Sequence, residues 1–450
     1  MFSLKYRAHH ISPMKIIFFG YLLIIFAGTL LLCLPCATKG DGGTSLSDAL
    51  FTATSATCVT GLIRFDTYTH WTLFGQLVIL VLIQVGGLGF MTFAISLISL
   101  TNRKIGLNSR YIMQSSISAP QMGGIVRMTK FIVFGSLLFE GLGTLLLSFA
   151  FCPQYNLGKG LYFALFHAVS AFCNAGFDLM GAQSEFSSLT GYVGNWYVNL
   201  IIMILIVVGG LGFFVWQDLV QHKFHFRKLR LHSKIVLSTT ITLILAGAVL
   251  FYLLELPGDS LDGMTVHEKI LASLFQSVTA RTAGFNTLDL SGCTESTQFL
   301  LIMLMMIGGS TGSTAGGIKT TTFLVLLFSI ASTFRQKKSI ELFGRRLEDG
   351  AIRTACCIFM SYLSVTLVVT LLISSVDHQP FLTSLFETVS AVGTVGLSLG
   401  ITPTLCTLSK LLLAALMFFG RVGSLTILLA FTSDRRKQSS MLPVEKIQLG

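Results

Sequence analysis

Four short stretches of this chain repeat one another in register, and that repeat limits the fold more than any other feature. They read Leu50-Phe-Thr-Ala-Thr-Ser-Ala-Thr-Cys-Val-Thr-Gly61-Leu, Leu165-Phe-His-Ala-Val-Ser-Ala-Phe-Cys-Asn-Ala-Gly176-Phe, Leu274-Phe-Gln-Ser-Val-Thr-Ala-Arg-Thr-Ala-Gly284-Phe and Leu385-Phe-Glu-Thr-Val-Ser-Ala-Val-Gly-Thr-Val-Gly396-Leu. The glycines recur at intervals of 115, 108 and 112 residues, with the Phe ten, ten, nine and ten positions ahead. A second mark follows each stretch: Gly86-Gly-Leu-Gly89, Gly209-Gly-Leu-Gly212, Gly309-Ser-Thr-Gly312 and Gly420-Arg-Val-Gly423. A general liking of membrane helices for glycine explains neither the order nor the spacing.

The surroundings of the repeats decide the solvent. Long apolar runs occupy about 16–35, 72–100, 129–151, 196–217, 234–254, 297–307, 318–333, 354–376 and 408–431. The chain is 52% hydrophobic and 11% charged, against about 25% charged in soluble domains. It reads as an all-α integral membrane protein. The repeated pieces, at about 46–57, 161–173, 266–280 and 381–392, are roughly a dozen residues each. A helix of that length reaches roughly 18 Å, short of a ~30 Å hydrocarbon core.

Charge sets orientation. The N-terminus, 101–130, 217–234, 334–353 and the tail hold 23 of the 31 Lys and Arg but six of the 20 acids. The positive-inside rule puts all five in the cytoplasm. The net charge of +11 is therefore topology, and no nucleic-acid partner is implied. Acids such as Asp48, Asp66 and Asp178 fall outside, where they concentrate cations. Trp71 and Trp196 open two spans as interfacial aromatics. Each short piece lies between two spans that join the same faces, so it begins and ends outside. It is a re-entrant loop or an outer surface helix.

Four span–short helix–span units can close around an axis. Non-helical backbone inside a bilayer is tolerated only where buried or lining a wet cavity. Four converging loops would then offer carbonyls to a passing ion, with glycine permitting the close approach. The candidates are Val59-Thr60-Gly61, Asn174-Ala175-Gly176, Thr282-Ala283-Gly284 and Thr394-Val395-Gly396; their side chains differ, so backbone carbonyls supply the common ligands. The third unit departs from the rest. Five glycines fall within 308–317 (Gly308, Gly309, Gly312, Gly316 and Gly317), interleaved with Ser310, Thr311, Ser313, Thr314 and Ala315. Each glycine costs ~1 kcal/mol in a helix interior, so a loop is expected there. It is not a phosphate loop, because Ile318 separates Gly317 from Lys319.

These residues, with Thr279-Ala-Arg-Thr-Ala-Gly284-Phe-Asn and Ile307-Gly-Gly-Ser-Thr-Gly-Ser-Thr-Ala-Gly-Gly-Ile-Lys-Thr320, carry a resemblance that covers 15–431. The chain resembles the Ktr/Trk/HKT superfamily of potassium transporters, most nearly its Ktr-type membrane subunits. The resemblance implies a potassium-channel-like fold of four span–pore helix–span repeats around a central pore. The repeats would be 15–100, 101–221, 222–333 and 334–431, with a cytoplasmic tail at 432–450. It implies K⁺ uptake, with Gly61 at the position where a serine accompanies Na⁺ transport. It implies that 308–317, with Lys319, is an intramembrane gate. It implies a homodimer in a bacterial plasma membrane, bearing a KtrA-like cytosolic subunit that carries the regulatory nucleotide. No cofactor is expected in this chain, K⁺ being the transported ion, and no enzymatic activity.

Three charges lie within apolar surroundings. Arg421, deep in the last span at the repeat position of the gate, is a candidate gate residue, since intramembrane charge is costly, or else a cation that satisfies helix-end carbonyls. Glu140 is expected to pair within the bundle or pack against glycine-rich neighbours, not to coordinate an ion. Arg281 either ties down its loop or tunes cation access. Cys33-Leu-Pro-Cys36 has redox spacing but closes an apolar span, and the histidines show no metal-ligand spacing.

Overall fold

The computed structural model describes residues 13–40, 42–89, 92–93, 107–116, 123–337, 339–348 and 350–431. Lys5, Arg7, Arg103, Lys104 and the 432–450 tail, whose charges bear on orientation, lie outside the described residues.

Among the described residues, four helices are long and apolar enough to cross a bilayer: Pro13–Leu32, Ile125–Tyr155, Leu231–Glu255 and Gly350–Val376. Only about a third of each apolar window is buried, and side chains such as Leu23, Phe26, Phe134, Phe149, Leu245 and Leu371 stand exposed. Such apolar faces suit lipid, not water. Each long helix is followed by a short one: Leu46–Cys58, Leu157–Phe172, Val266–Thr279 and Phe381–Gly393. The short helices are the inverse of the long ones. In the first, every residue from Phe51 to Cys58 is buried, and most of these side chains are small or hydroxylated. They are re-entrant, not surface, helices. The second runs four residues further toward its N-terminus than the sequence pattern indicates, because Leu157 to Gly160 continue its turn.

A third helix follows in each unit, and its start is capped in all four. Thr72, Asn195, Thr294 and Cys406 accept backbone N–H groups of the first turn with their side chains. None of these helices makes an uninterrupted span. The runs read as continuous at 72–100, 196–217 and 408–431 stop at Leu88, Leu211 and Val422, followed by Gly89, Gly212 and Gly423 at φ of 81°, 96° and 89°. With ψ between 130° and 139°, this is a backbone conformation open essentially to glycine alone. In the second unit the chain turns 93° there, from Trp196–Leu211 into Phe213–Gln221. The third unit breaks earlier, at Ile307, and resumes at Thr320.

The chain closes on itself. The fourth unit's Thr407–Val422 helix packs on the first unit's short helix. Lys410, only 7% exposed, donates to Asp48, with Arg64 3.8 Å from the same carboxylate. Burial raises the Asp48 carboxyl, but hydrogen bonds from Lys410 and Ser45 and both cationic charges outweigh it and hold the carboxyl below its usual range. A further sequence expectation fails. Trp71 is 1% exposed, not interfacial, packed over Gly75 and edge-on to His70. The basic segment 334–353 carries a two-stranded hairpin, Glu341–Leu342 with Arg345–Arg346.

Candidate functional site: a four-loop ring and the layer beneath it

The short helices end on one axis. Their last turns are closed by bonds from the loop back into the helix: Thr60 N–H to Ser55 O, Ala175 N–H to Ser170 O and Val395 N–H to Ser390 O, each 2.8 Å. The third unit is one residue shorter here and uses Ala283 N–H to Thr279 O at 2.9 Å. Val59, Asn174, Thr282 and Thr394 then take φ between 52° and 80°. Three of these are β-branched, for which that conformation is strained.

The ring is defined by what would collide with a side chain on each glycine. A Cβ on Gly61 would lie 2.5 Å from Ala175 O, one on Gly176 2.8 Å from Ala283 O, and one on Gly284 2.5 Å from Val395 O. A Cβ on Gly396 would strike Thr60 O. Unit one meets two, two meets three, three meets four and four meets one. All twelve residues named from the sequence are thus brought together in a closed ring. The hydroxyls of Thr60 and Thr394 are buried without a hydrogen-bond partner in the protein. The four helix C-termini also aim their partial negative charge at this point.

Outward of the ring the chain alternates. Leu62, Phe177, Phe285 and Leu397 are buried, while Ile63, Asp178, Asn286 and Ser398 are partly exposed. This second set lines the outer rim, with Asp178 its one acid. Burial pushes the Asp178 carboxyl up to about 7, opposed by a bond from Met180 N–H and reinforced by the charge of Asp66.

Inward of the ring sits the other repeated mark. In three of the units the first glycine of the mark lets the third helix press on the end of its own short helix. A Cβ there would run into Thr57 O from Gly86, Phe172 O from Gly209 and Val392 O from Gly420. In the third unit, residues 308–317 leave the helix and cross beneath the ring. Gly317 passes the Gly393 carbonyl, and Gly316 passes the Thr394 side chain.

The other three marks hold this crossing loop. Gly209 O and Gly210 O accept from Thr314 N–H and Ser310 N–H at 3.3 and 3.0 Å, and Phe213 N–H donates to Gly312 O at 2.7 Å. Gly420 O accepts from Gly317 N–H at 3.2 Å. Arg421 reaches the first mark: its guanidinium donates to Thr314 O of the loop, to Gly86 O and, at 2.9 Å, to Gly87 O. Lys319 closes the loop on itself, donating to Ala315 O and Gly316 O at 2.7 and 3.2 Å. The loop hydroxyls are also engaged. Ser310 pairs with Thr320, Thr311 with Thr321, Ser313 donates to Ser310 O, and Thr314 donates to Phe172 O. A cavity of about 320 Å³ opens below, lined by Gly312, Ser313, Lys319 and Arg421 among others.

The remaining candidates lie off the axis. Both carboxyl oxygens of Glu140 accept from Gln84 at 3.0 Å, behind the second short helix. Arg281 is 7% exposed and points behind its loop toward Thr240 O, 3.5 Å away. Cys33 and Cys36 are free thiols. Sequence reasoning does not mark Gly86, Gly87, Gly209 and Gly210 as partners of the loop. Their repetition signals that they matter; only the fold shows what they touch.

Four re-entrant helices converging on a carbonyl ring define a multi-pass membrane protein with a pseudo-fourfold pore. The chain belongs to the TrkH family, described as cation transport protein, which matches residues 26–440. It is 41% identical over 427 residues to the Ktr system potassium uptake protein B of Bacillus subtilis, covering 94% of each chain. It is 38% identical over 446 residues to the potassium/sodium uptake protein NtpJ of Enterococcus hirae, covering 98% of each. In fold it is similar to the potassium transporter TrkH of Vibrio parahaemolyticus, with a TM-score of 0.76 at 19% identity over 95% of this chain and 86% of that one.

Proposed function

We propose that this chain is the conducting membrane subunit of a K⁺ uptake system, passing K⁺ through the carbonyl ring of Thr60-Gly61, Ala175-Gly176, Ala283-Gly284 and Val395-Gly396. The observation that carries the reading is the cyclic contact of each glycine with a carbonyl of the next unit. Such a ring replaces the hydration shell of a dehydrated cation at little reorganisation cost. The potassium uptake relatives support K⁺ as the ion. The ring binds and releases its cargo without bond chemistry, so the chain is read as a conduit and not an enzyme.

Residues 308–317 are the gate of this reading. They lie across the axis one layer inside the ring, with Arg421 and Lys319 as their charged restraints. The basic inner segments, including the 334–353 hairpin, are the docking face for a cytosolic nucleotide-binding subunit, in line with the names of the Ktr system relatives. Both termini are cytoplasmic, the four repeats take the boundaries given by the sequence, and the membrane form is a homodimer in lipid.

A second reading, conduction of Na⁺ beside K⁺, is favoured by the name of the Enterococcus hirae relative. Flux of K⁺, Rb⁺ and Na⁺ into liposomes, with and without the cytosolic partner, decides between them. Saturable K⁺ and Rb⁺ flux with little Na⁺ flux supports the first reading. Equal Na⁺ flux supports the second, and no cation flux removes both.

A further inference from the structure

Beyond each ring glycine the chain turns outward, and in all four units the third residue past it is tied back to its own short helix. Arg64 Nε lies 3.8 Å from Asp48. Leu179 N–H donates to His167 Nε2 at 3.4 Å. Gln276 Nε2 donates to Thr287 Oγ1 at 3.5 Å. Leu399 N–H donates to Glu387 Oε1 at 3.1 Å. Three of the four arms come from one repeat position, the residue after Leu-Phe: His167, Gln276 and Glu387. In the first unit that position is Thr52, whose short side chain donates to Asp48 O instead, and Asp48 supplies the arm from one turn earlier.

We propose that these side chains are struts that hold the outer rim at its working diameter, and that Glu387 is the positioning residue on which K⁺ over Na⁺ discrimination depends most. The proposal rests on the ring being the selectivity filter. Glu387 is fully buried and gathers three neutral donors: Ser398 Oγ at 2.5 Å, Leu399 N–H at 3.1 Å and Thr402 Oγ1 at 2.8 Å. Ser398 is itself a rim residue, and Thr402 starts the next turn of chain. One carboxylate therefore fixes both ends of the stretch from Ser398 to Thr402, where His167 and Gln276 each fix one point. A carboxyl group suits this place because its two oxygens can accept all three bonds. On the cavity-size account of selectivity, discrimination between ions of different radius needs carbonyls that cannot follow the smaller ion inward, and a braced rim supplies that resistance.

The proposal separates bracing from charge. Glutamine keeps the length and the Oε1 acceptor, and its amide can donate to Thr402 Oγ1, but it carries no charge. Leucine keeps the volume and makes no bond. The test is K⁺ and Na⁺ flux through the full-length protein in liposomes, for Glu387→Leu, Glu387→Gln, Thr402→Val and Gly396→Ser, each checked by thermal unfolding and gel filtration. Glu387→Leu is expected to lower the K⁺/Na⁺ ratio about tenfold, the scale of leaving one buried donor unpaired. Glu387→Gln should lose no more than about threefold, and Thr402→Val should fall between them. If folded Glu387→Leu keeps the wild-type ratio while Gly396→Ser loses it, the strut is overturned and the filter stands. If neither changes the ratio, the filter reading itself fails. Glutamine as damaging as leucine assigns the effect to charge and overturns bracing. Should Glu387→Leu not fold, an unchanged ratio in folded Thr402→Val overturns the proposal.

Discussion

Two glycine layers lie one above the other, and they differ in kind. The upper layer, Gly61, Gly176, Gly284 and Gly396, is nearly symmetric: each glycine faces the next unit's carbonyl and each has φ between 70° and 98°. The lower layer breaks that symmetry. Gly86, Gly209 and Gly420 sit within helices that press on short-helix ends, while the third unit surrenders its helix to a loop held by the other three. A ring that selects an ion must treat it alike from all sides. A gate needs one side that can move against a fixed frame, so on the proposed reading the departure from symmetry marks the moving part.

The hardest test of this contrast lies in the upper layer. Gly61→Ser puts a side chain against Ala175 O in a backbone region unfavourable to L-residues, at a cost of ~1–3 kcal/mol. The K⁺/Na⁺ flux ratio should fall by about tenfold or more. An unchanged ratio removes Gly61 from the filter.

Next comes the lower layer, where removal should open and not impair. Deleting part of 310–316 should raise partner-free flux several-fold and reduce its response to the cytosolic subunit. Flux at or below wild type in a normally folded variant would leave the loop a structural kink. Arg421→Ala acts in the same direction but more weakly, since the backbone bonds to Gly209, Gly210 and Gly420 remain. Each lost bond to a charged group is worth ~1.5–3 kcal/mol before compensation. A larger increase from Arg421→Ala than from the deletion would show that the arginine, not the loop, closes the path.

The smallest effect is expected at the rim. With its carboxyl raised to about 7, Asp178 is largely neutral at pH 6 and largely charged at pH 8. K⁺ uptake at low external K⁺ should therefore rise by about twofold across that range, through local cation concentration. Asp178→Asn should flatten the profile. A profile equally steep in the variant would place the titrating group elsewhere.

Much of this architecture is legible in the order of the residues. Spacing singles out all twelve ring residues, because a repeat that must meet on an axis keeps its contact positions in register. Five glycines in ten residues announce the loop at 308–317, and Arg421 stands out as a charge where charge is costly. Interruption of the other third helices is not legible, since one glycine at 89, 212 or 423 looks the same in an unbroken apolar run. Its φ and ψ depend on whether the next turn of backbone has room to continue. Trp71 leaves its expected interfacial place for a similar reason: burial against Gly75 and His70 is a packing outcome with no local pattern.

The membrane class, the four units, the residues of the ring and the position of the loop follow from hydropathy, spacing and glycine content, which are properties of the chain alone. Packing settles the rest: which unit follows which around the axis, that Lys410 meets Asp48 across 362 positions, that the second marks clamp the loop, and that Glu387 ties down the chain beyond Gly396. Those are meetings between segments that come together only in the folded molecule, and nothing local encodes which distant carbonyl a given glycine or arginine will face.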